Sequence, residues 1–269
     1  MWTRKLLKDN AKIAFRRNYW LCVAVSLVAS LLGASATGSG ITYEYQADSS
    51  GYESDFDDYY DYEDLYEDEL NYAANVLYSV FTSPIFISAV LIGVVVGIAF
   101  SILISNVVAV GHKRFYMENR EHKTTVGKVF HSFSGGRYGN TVWIMFWKEL
   151  YIFGWSLLFF IPGIIKAYSY MMIPYIVAEN PDISKERAFA ISKQMMDGHK
   201  WEAFVLELSF FGWKLLNTIP LVGILWTAPY MDATFTEFYT AVRAEAFQKG
   251  ITNTIELPGV SHNDFTQQF

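Results

Sequence analysis

Cysteine occurs once in the 269 residues, at Cys22, so no intramolecular disulfide can order any exported loop. Charge is scarce: Asp, Glu, Lys and Arg make up 18% of the chain, against about 25% in an ordinary soluble domain. Basic residues are absent altogether between Arg17 and Lys113. Missing too are the motifs of the common enzyme classes. The five histidines, His112, His122, His131, His199 and His262, contain no HExxH, no GxSxG occurs, and the small-residue run GASATGSG lacks the lysine of a phosphate loop. No catalytic residue, cofactor or metal cluster is therefore expected.

What the chain has in excess is apolar surface: 52% of it is hydrophobic and 17% aromatic. Ile85 to Val110 runs 26 residues without a charge, longer than the roughly 20 that cross a bilayer core. The net charge of −6 hides a segregation of sign. Tyr43 to Tyr72 holds twelve acids, eight tyrosines and no base, which leaves fifteen acids against twenty-one bases elsewhere. Such separation is what a membrane imposes.

The bases fix the orientation. Arg4, Lys5, Lys8, Lys12, Arg16 and Arg17 precede the base-free stretch, and six more lie between Lys113 and Arg137. Both clusters belong on the cytoplasmic side, so Tyr19 to about Gly38 crosses outward and Ile85 to Val110 returns. Lys185, Arg187, Lys193, Lys200, Arg243 and Lys249 keep later segments inside, which requires an even number of crossings in Thr141–Glu179 and again in Trp201–Tyr239. An alternative for the N-terminus is a secretory signal cleaved near Ala36, because basic residues, an apolar run and ASA occur in that order.

A repeat supports the hairpin reading. ELYIFGWSLLFFIP at 149–162 and ELSFFGWKLLNTIP at 207–220 share one pattern, and at an offset of 58 the stretches from Trp143 and Trp201 agree at eleven of twenty positions. Basic segments lead to a border aromatic three times, in RRNYW, GRYGNTVW and DGHKW. Three returning helices end alike, in RFYMEN, IPYIVAEN and EFYTAVRAE. The expected fold is all-α: six transmembrane helices as three parallel repeated hairpins with cytoplasmic interfacial helices. Its parts are an amphipathic segment at 1–18, a first hairpin at 19–119 with an extracellular acidic loop at 41–73, hairpins at 120–180 and 181–249, and a cytoplasmic tail at 250–269. Pro162 and Pro220 are expected to end the outward helices with Gly163 easing the turn, and Pro174 and Pro229 to kink the returning ones. Gly154 and Gly212 are expected where helices approach closely.

PGIIKAYSYMMIPYIVAENPDIS, AFAISKQMMDGHKWEAFVLELSFFGW and GILWTAPYMDATFTEFYTAV, between Ile161 and Val242, resemble the bacterial integral membrane family catalogued as domain of unknown function 975. The resemblance implies a multi-pass plasma-membrane protein and supplies no catalytic residues.

Ionisable groups at membrane depth are costly, which makes Asp232, Glu149, Glu207, Lys166, Lys214 and Glu237, with Lys148, candidates for an intramembrane polar site. Two readings stand open. Equivalent acids from successive repeats could ring a polar cavity and bind a cation or proton, or each could pair with a nearby base. The acidic loop lacks the spacing of an EF-hand and reads as a solvated, self-repelling segment that could capture a cationic peptide. Basic interfacial stretches suit anionic lipids rather than nucleic acid. The functional expectation is a non-enzymatic membrane protein, transport-related or a partner of a transport or envelope-stress system. A structural or assembly scaffold without a permeation path is the alternative.

Overall fold

A computed structural model describes residues 3–32, 62–133, 136–212 and 227–260. Residues 41–61 of the acidic loop, Ala36, Lys214 and Pro220 lie outside the described residues. The chain is all-helical, with no strand among the described residues. It divides into two units, Gly40–Ala99 and the remainder.

The described part of the smaller unit is two helices. α1 and α2 belong to the larger unit, so these are α3 (Tyr62–Thr82) and α4 (Pro84–Phe100). α3 begins inside the acidic stretch, where the sequence suggests an unstructured loop. Between Tyr62 and Ser83 glycine and proline are absent, and Leu65, Ala73, Val76, Leu77 and Val80 recur at helical spacing. Ser83 then stops one helix and caps the next, its Oγ accepting from the Phe86 amide at 3.1 Å with Pro84 opening α4. α4 has no buried residue, though it is apolar along its whole length.

In the larger unit, α1 (Arg4–Arg17) is capped by Thr3, whose Oγ1 accepts from the Leu6 amide at 3.3 Å. Its buried positions Leu7, Ala11, Ala14 and Phe15 fall on one face, which packs on the last helix. α2 (Tyr19–Leu31) buries Cys22, Val25 and Ala29 in the same core. A π-helical turn, Ser101–Ser105, leads into α5 (Asn106–Glu121), and the Ser105 hydroxyl donates to the Leu32 carbonyl. A 3-10 helix, Val126–Phe133, then lies against α5.

α6 (Tyr138–Leu158) and α7 (Phe160–Ser169) form a tight hairpin. The break falls at Phe159, whose backbone is extended, and Pro162 sits in the first turn of α7 rather than ending α6. A missing N–H costs nothing in a first turn, which is why the proline is accommodated there. The close approach is at Gly163, where a Cβ would come within 2.8 Å of the Ser156 Cα. Gly154 and Gly212 differ from expectation: a Cβ at either meets nothing within 4 Å among the described residues, so neither marks a helix crossing there. α8 (Ile173–Glu179) follows a bend at Tyr170–Met172 and has Pro174 in its first turn, which places the kink just ahead of the proline.

α9 (Lys185–Met195) is capped by Ser184, and α10 (Lys200–Leu208) follows. α11 (Ala228–Gln248) ends in a Schellman arrangement: Gly250 is left-handed at φ 66°, Ile251 N–H donates to Ala246 at 2.9 Å, and Gly250 N–H to Phe247 at 3.1 Å.

Among the described residues, two helices are long and apolar enough to cross a membrane: Pro84–Glu121, at 38 residues, and Phe160–Glu179, at 20. α6 has the length but carries Lys148 and Glu149 and gains much of its bulk from Trp and Tyr, which have wet edges.

Residues 250–260, set aside as tail by the sequence, are packed. Leu257 and Val260 are buried, Arg187 Nε reaches Glu256 Oε1 at 2.6 Å, and Arg187 Nη2 donates to the Ile251 carbonyl at 2.7 Å. The Arg187 hydrogen bonds hold the Glu256 carboxyl below the usual glutamate value. A depressed folded pKa gives stability that is present above the unfolded value of about 4.3 and lost as pH falls through the folded one. Amide exchange across 250–260, measured relative to its intrinsic rate at each pH, is therefore expected to be slow at neutral pH and to accelerate below about pH 4. In Arg187→Ala it should be fast already at neutral pH. Protection unchanged by acid and by the substitution would remove this pair as the clasp.

Candidate functional site

The ends of α5, α8 and α11 meet, and their charged and tyrosine side chains form one connected polar centre. Lys113 Nζ donates to Asp232 Oδ1 at 2.8 Å, and Arg120 Nε to Glu237 Oε1 at 2.8 Å. The pairs follow the same order along both helices, so α5 and α11 run parallel. α8 joins through the Tyr175 ring, which stacks on Tyr239 at 4.8 Å and lies 5.4 Å below the Lys113 ammonium.

Beyond these rungs sit two deeply buried acids. Glu118 takes Arg114 Nε at 3.1 Å and the Thr124 hydroxyl at 2.9 Å, with Lys128 at 3.5 Å. Glu179 takes the Tyr239 hydroxyl at 3.0 Å, Arg243 Nε at 2.8 Å and the Gly259 N–H at 3.2 Å. Arg114 is itself 1% exposed and donates onward to the carbonyls of Ala178 at 2.9 Å and Val260 at 3.2 Å. Buried charge survives in a low-dielectric interior only when paired and hydrogen-bonded, and each of these acids is.

His112 lies over this centre with Nε2 3.4 Å from Asp232 Oδ2, too poorly aligned for a hydrogen bond, and packs edge-on to Tyr116 at 5.1 Å. The Tyr116 hydroxyl shares a 3.0 Å bond with Ser26, which brings α2 to the site.

The sequence-derived candidates are dispersed. Asp232 and Glu237 are at the centre. Glu149 is half-exposed and pairs with the adjacent Lys148 at 2.7 Å. Glu207 accepts from the Tyr168 hydroxyl at 2.7 Å, between α7 and α10. Lys166 lies 4.9 Å over the Trp155 ring. Asp232, Glu149 and Glu207 thus take different partners, Lys113, Lys148 and Tyr168. Sequence reasoning missed His112, Lys113, Arg114 and Glu118 as site residues, because it counted the bases only as orientation markers. One signal was available: a base less than a turn beyond a 26-residue apolar run, on the same helix, must find an acid.

Among the described residues no group of three or more His, Cys, Asp or Glu is arranged to hold a metal ion. The chain belongs to the family described as a protein of unknown function, DUF975, whose family model matches residues 64–246. No curated protein and no solved structure matches it.

Proposed function

We propose that this chain is a non-enzymatic, multi-pass plasma-membrane protein with a structural or assembly role. It threads the bilayer as three like-oriented hairpins, six crossings in all, with both termini in the cytoplasm. Three features support the threading. α4 presents only exposed apolar side chains, and the α6–α7 turn exposes Phe153, Leu157, Leu158, Phe159, Phe160 and Ile161, a surface that belongs in lipid. The three border tryptophans Trp20, Trp143 and Trp201 are 73%, 50% and 70% exposed, as an interfacial belt requires. The returning ends touch through Arg114 to the Ala178 carbonyl, Tyr175 on Tyr239 and Arg243 to Glu179.

The observation that carries the assembly role is the pairing of Asp232 with Lys113, Glu237 with Arg120 and Glu149 with Lys148. Acids meant to bind a passing cation are left facing a cavity, whereas Asp232 and Glu237 cross-link α11 to α5 and Glu149 is neutralised within α6. A second reading, proton-coupled transport, draws on the position of His112 and Lys113 against Asp232 at the end of an apolar helix.

Two measurements test the proposal. In a Cys22→Ser background, single cysteines replacing Asp58 and Ala190 are expected to react with an impermeant maleimide only from outside and only from inside, respectively. The reverse pattern ends the threading. In proteoliposomes loaded with a pH-sensitive dye, the wild-type chain is expected to dissipate an imposed proton gradient no faster than empty vesicles. Flux in the wild type that disappears in Asp232→Asn would replace the assembly role by transport.

A further inference from the structure

α6, α7 and α9 enclose a cleft of about 550 Å³, outside the polar centre described above. Its walls combine three ammonium groups, Lys166, Lys185 and Lys193, with the rings of Tyr151, Trp155 and Tyr170. Lys166 Nζ lies 4.9 Å over Trp155 and Lys193 Nζ 5.7 Å over Tyr170. Among the described residues, neither has a carboxylate within ion-pair distance. The acid that lines the cleft is Glu186, an exposed side chain 3.4 Å from Lys185. One acid against three ammonium groups leaves the cleft with a net positive charge.

A second cavity of about 210 Å³ shares Tyr151 and Trp155 with the first and continues along α6, lined by Leu150, Gly154 and Leu158. It is almost wholly apolar, and Gly154 is its open floor, since a Cβ there meets nothing within 4 Å. Leu150 to Leu158 covers about 12 Å of helix toward the exposed apolar turn. A basic cleft continuing into an apolar groove on the surface of α6 suits an amphiphile with an anionic head. Lysines present point charges suited to a phosphodiester, and the tyrosine and tryptophan rings sit at the head–chain boundary, as they do in interfacial belts.

We propose that this pair of cavities binds one anionic phospholipid, with its phosphodiester among Lys166, Lys185 and Lys193 and one acyl chain along the Gly154 groove. The site makes this protein a lipid-selective module, and it rests on the reading of the chain as membrane-embedded. In that arrangement the lipid joins α6–α7 to α9, as the ion pairs join α5, α8 and α11.

The full chain, purified in neutral detergent, is incubated with equal amounts of phosphatidylglycerol and phosphatidylcholine, and retained lipid is counted by native mass spectrometry. Phosphatidylglycerol is expected to be retained in excess. Lys166→Gln and Lys193→Gln should each lower that retention about fivefold, the size of one lysine–headgroup attraction. Gly154→Leu, which fills the groove in open space, should lower it with all three lysines intact. Equal retention of both lipids, or retention unaffected by the three variants, overturns the proposal. Displacement by millimolar inorganic phosphate with Gly154→Leu without effect would also overturn it, leaving a site for soluble phosphate. Failure of the embedding itself reads differently, as release of the protein from membranes by alkaline carbonate without detergent.

Discussion

Arg114→Ala is expected to cost about 3–5 kcal/mol of folding stability, measured by denaturant unfolding in micelles, because it strips the partner from a buried acid. Glu118 is fully buried, and its remaining contacts would be the Thr124 hydroxyl and a lysine at 3.5 Å that is itself partly solvated. Lys128 can recover some of the loss, so the lower end of the range is the better expectation. Two further anchors go with the guanidinium, those to Ala178 and Val260, and with them the joint between α5, α8 and the C-terminal segment. Arg114→Lys should not rescue, since one ammonium cannot reach three acceptors set in a fork. The double substitution Arg114→Met with Glu118→Leu should recover much of the stability, because removing both charges removes the desolvation penalty as well as the attraction. A loss below about 1 kcal/mol for Arg114→Ala would place this pair in solvent and undo the buried centre.

Gly111→Ala should be comparably severe for a steric reason. A Cβ at Gly111 would stand 1.8 Å from the Val129 carbonyl oxygen and 2.6 Å from its carbon, both backbone atoms of the 3-10 helix. No rotamer change relieves such an overlap, so α5 and Val126–Phe133 must separate. Overpacking that side chains absorb costs about 1–3 kcal/mol, and a backbone collision should exceed it. Gly139→Ala is the matched control, because a Cβ there meets nothing within 4 Å. It should leave stability unchanged or raise it by up to about 1 kcal/mol through helix propensity. Equal unfolding midpoints for the two variants would refute the close contact.

Both predictions concern contacts that local pattern could not announce. The apolar run at 85–110 and the repeat around 149 and 207 were plain in the sequence. So was the likeness of the three returning ends, of which Tyr175 and Glu179 meet Tyr239. The roles of individual glycines were not. Gly154 and Gly163 lie in one hairpin, and the structure gives the tight approach to Gly163 and open space to Gly154. The chain break at Phe159 was hidden for a related reason. A proline three residues later is an obvious punctuation mark, yet the first turn of a helix tolerates it, so its position does not fix the break.

The candidate site shows the same division. Asp232 and Glu237 were legible because charge in an apolar context is rare and expensive. Their partners were not, since Lys113 is 119 residues from Asp232 and Arg120 is 117 from Glu237. The packed segment at 250–260 escaped notice because it is held by single side chains on α8, α9 and α11 rather than by any periodic pattern of its own.

By itself, then, the sequence determined the helical class and, among the described residues, two helices long and apolar enough to cross a membrane, both of which follow from hydrophobic periodicity and the length of apolar runs. Tertiary structure alone decided which base neutralises which acid, and whether lysines gather into a cleft beside an apolar groove. The physical reason is that hydrophobicity is additive along a segment, whereas a buried charge is stabilised only by whatever distant group the packing of helices brings within about 3 Å of it.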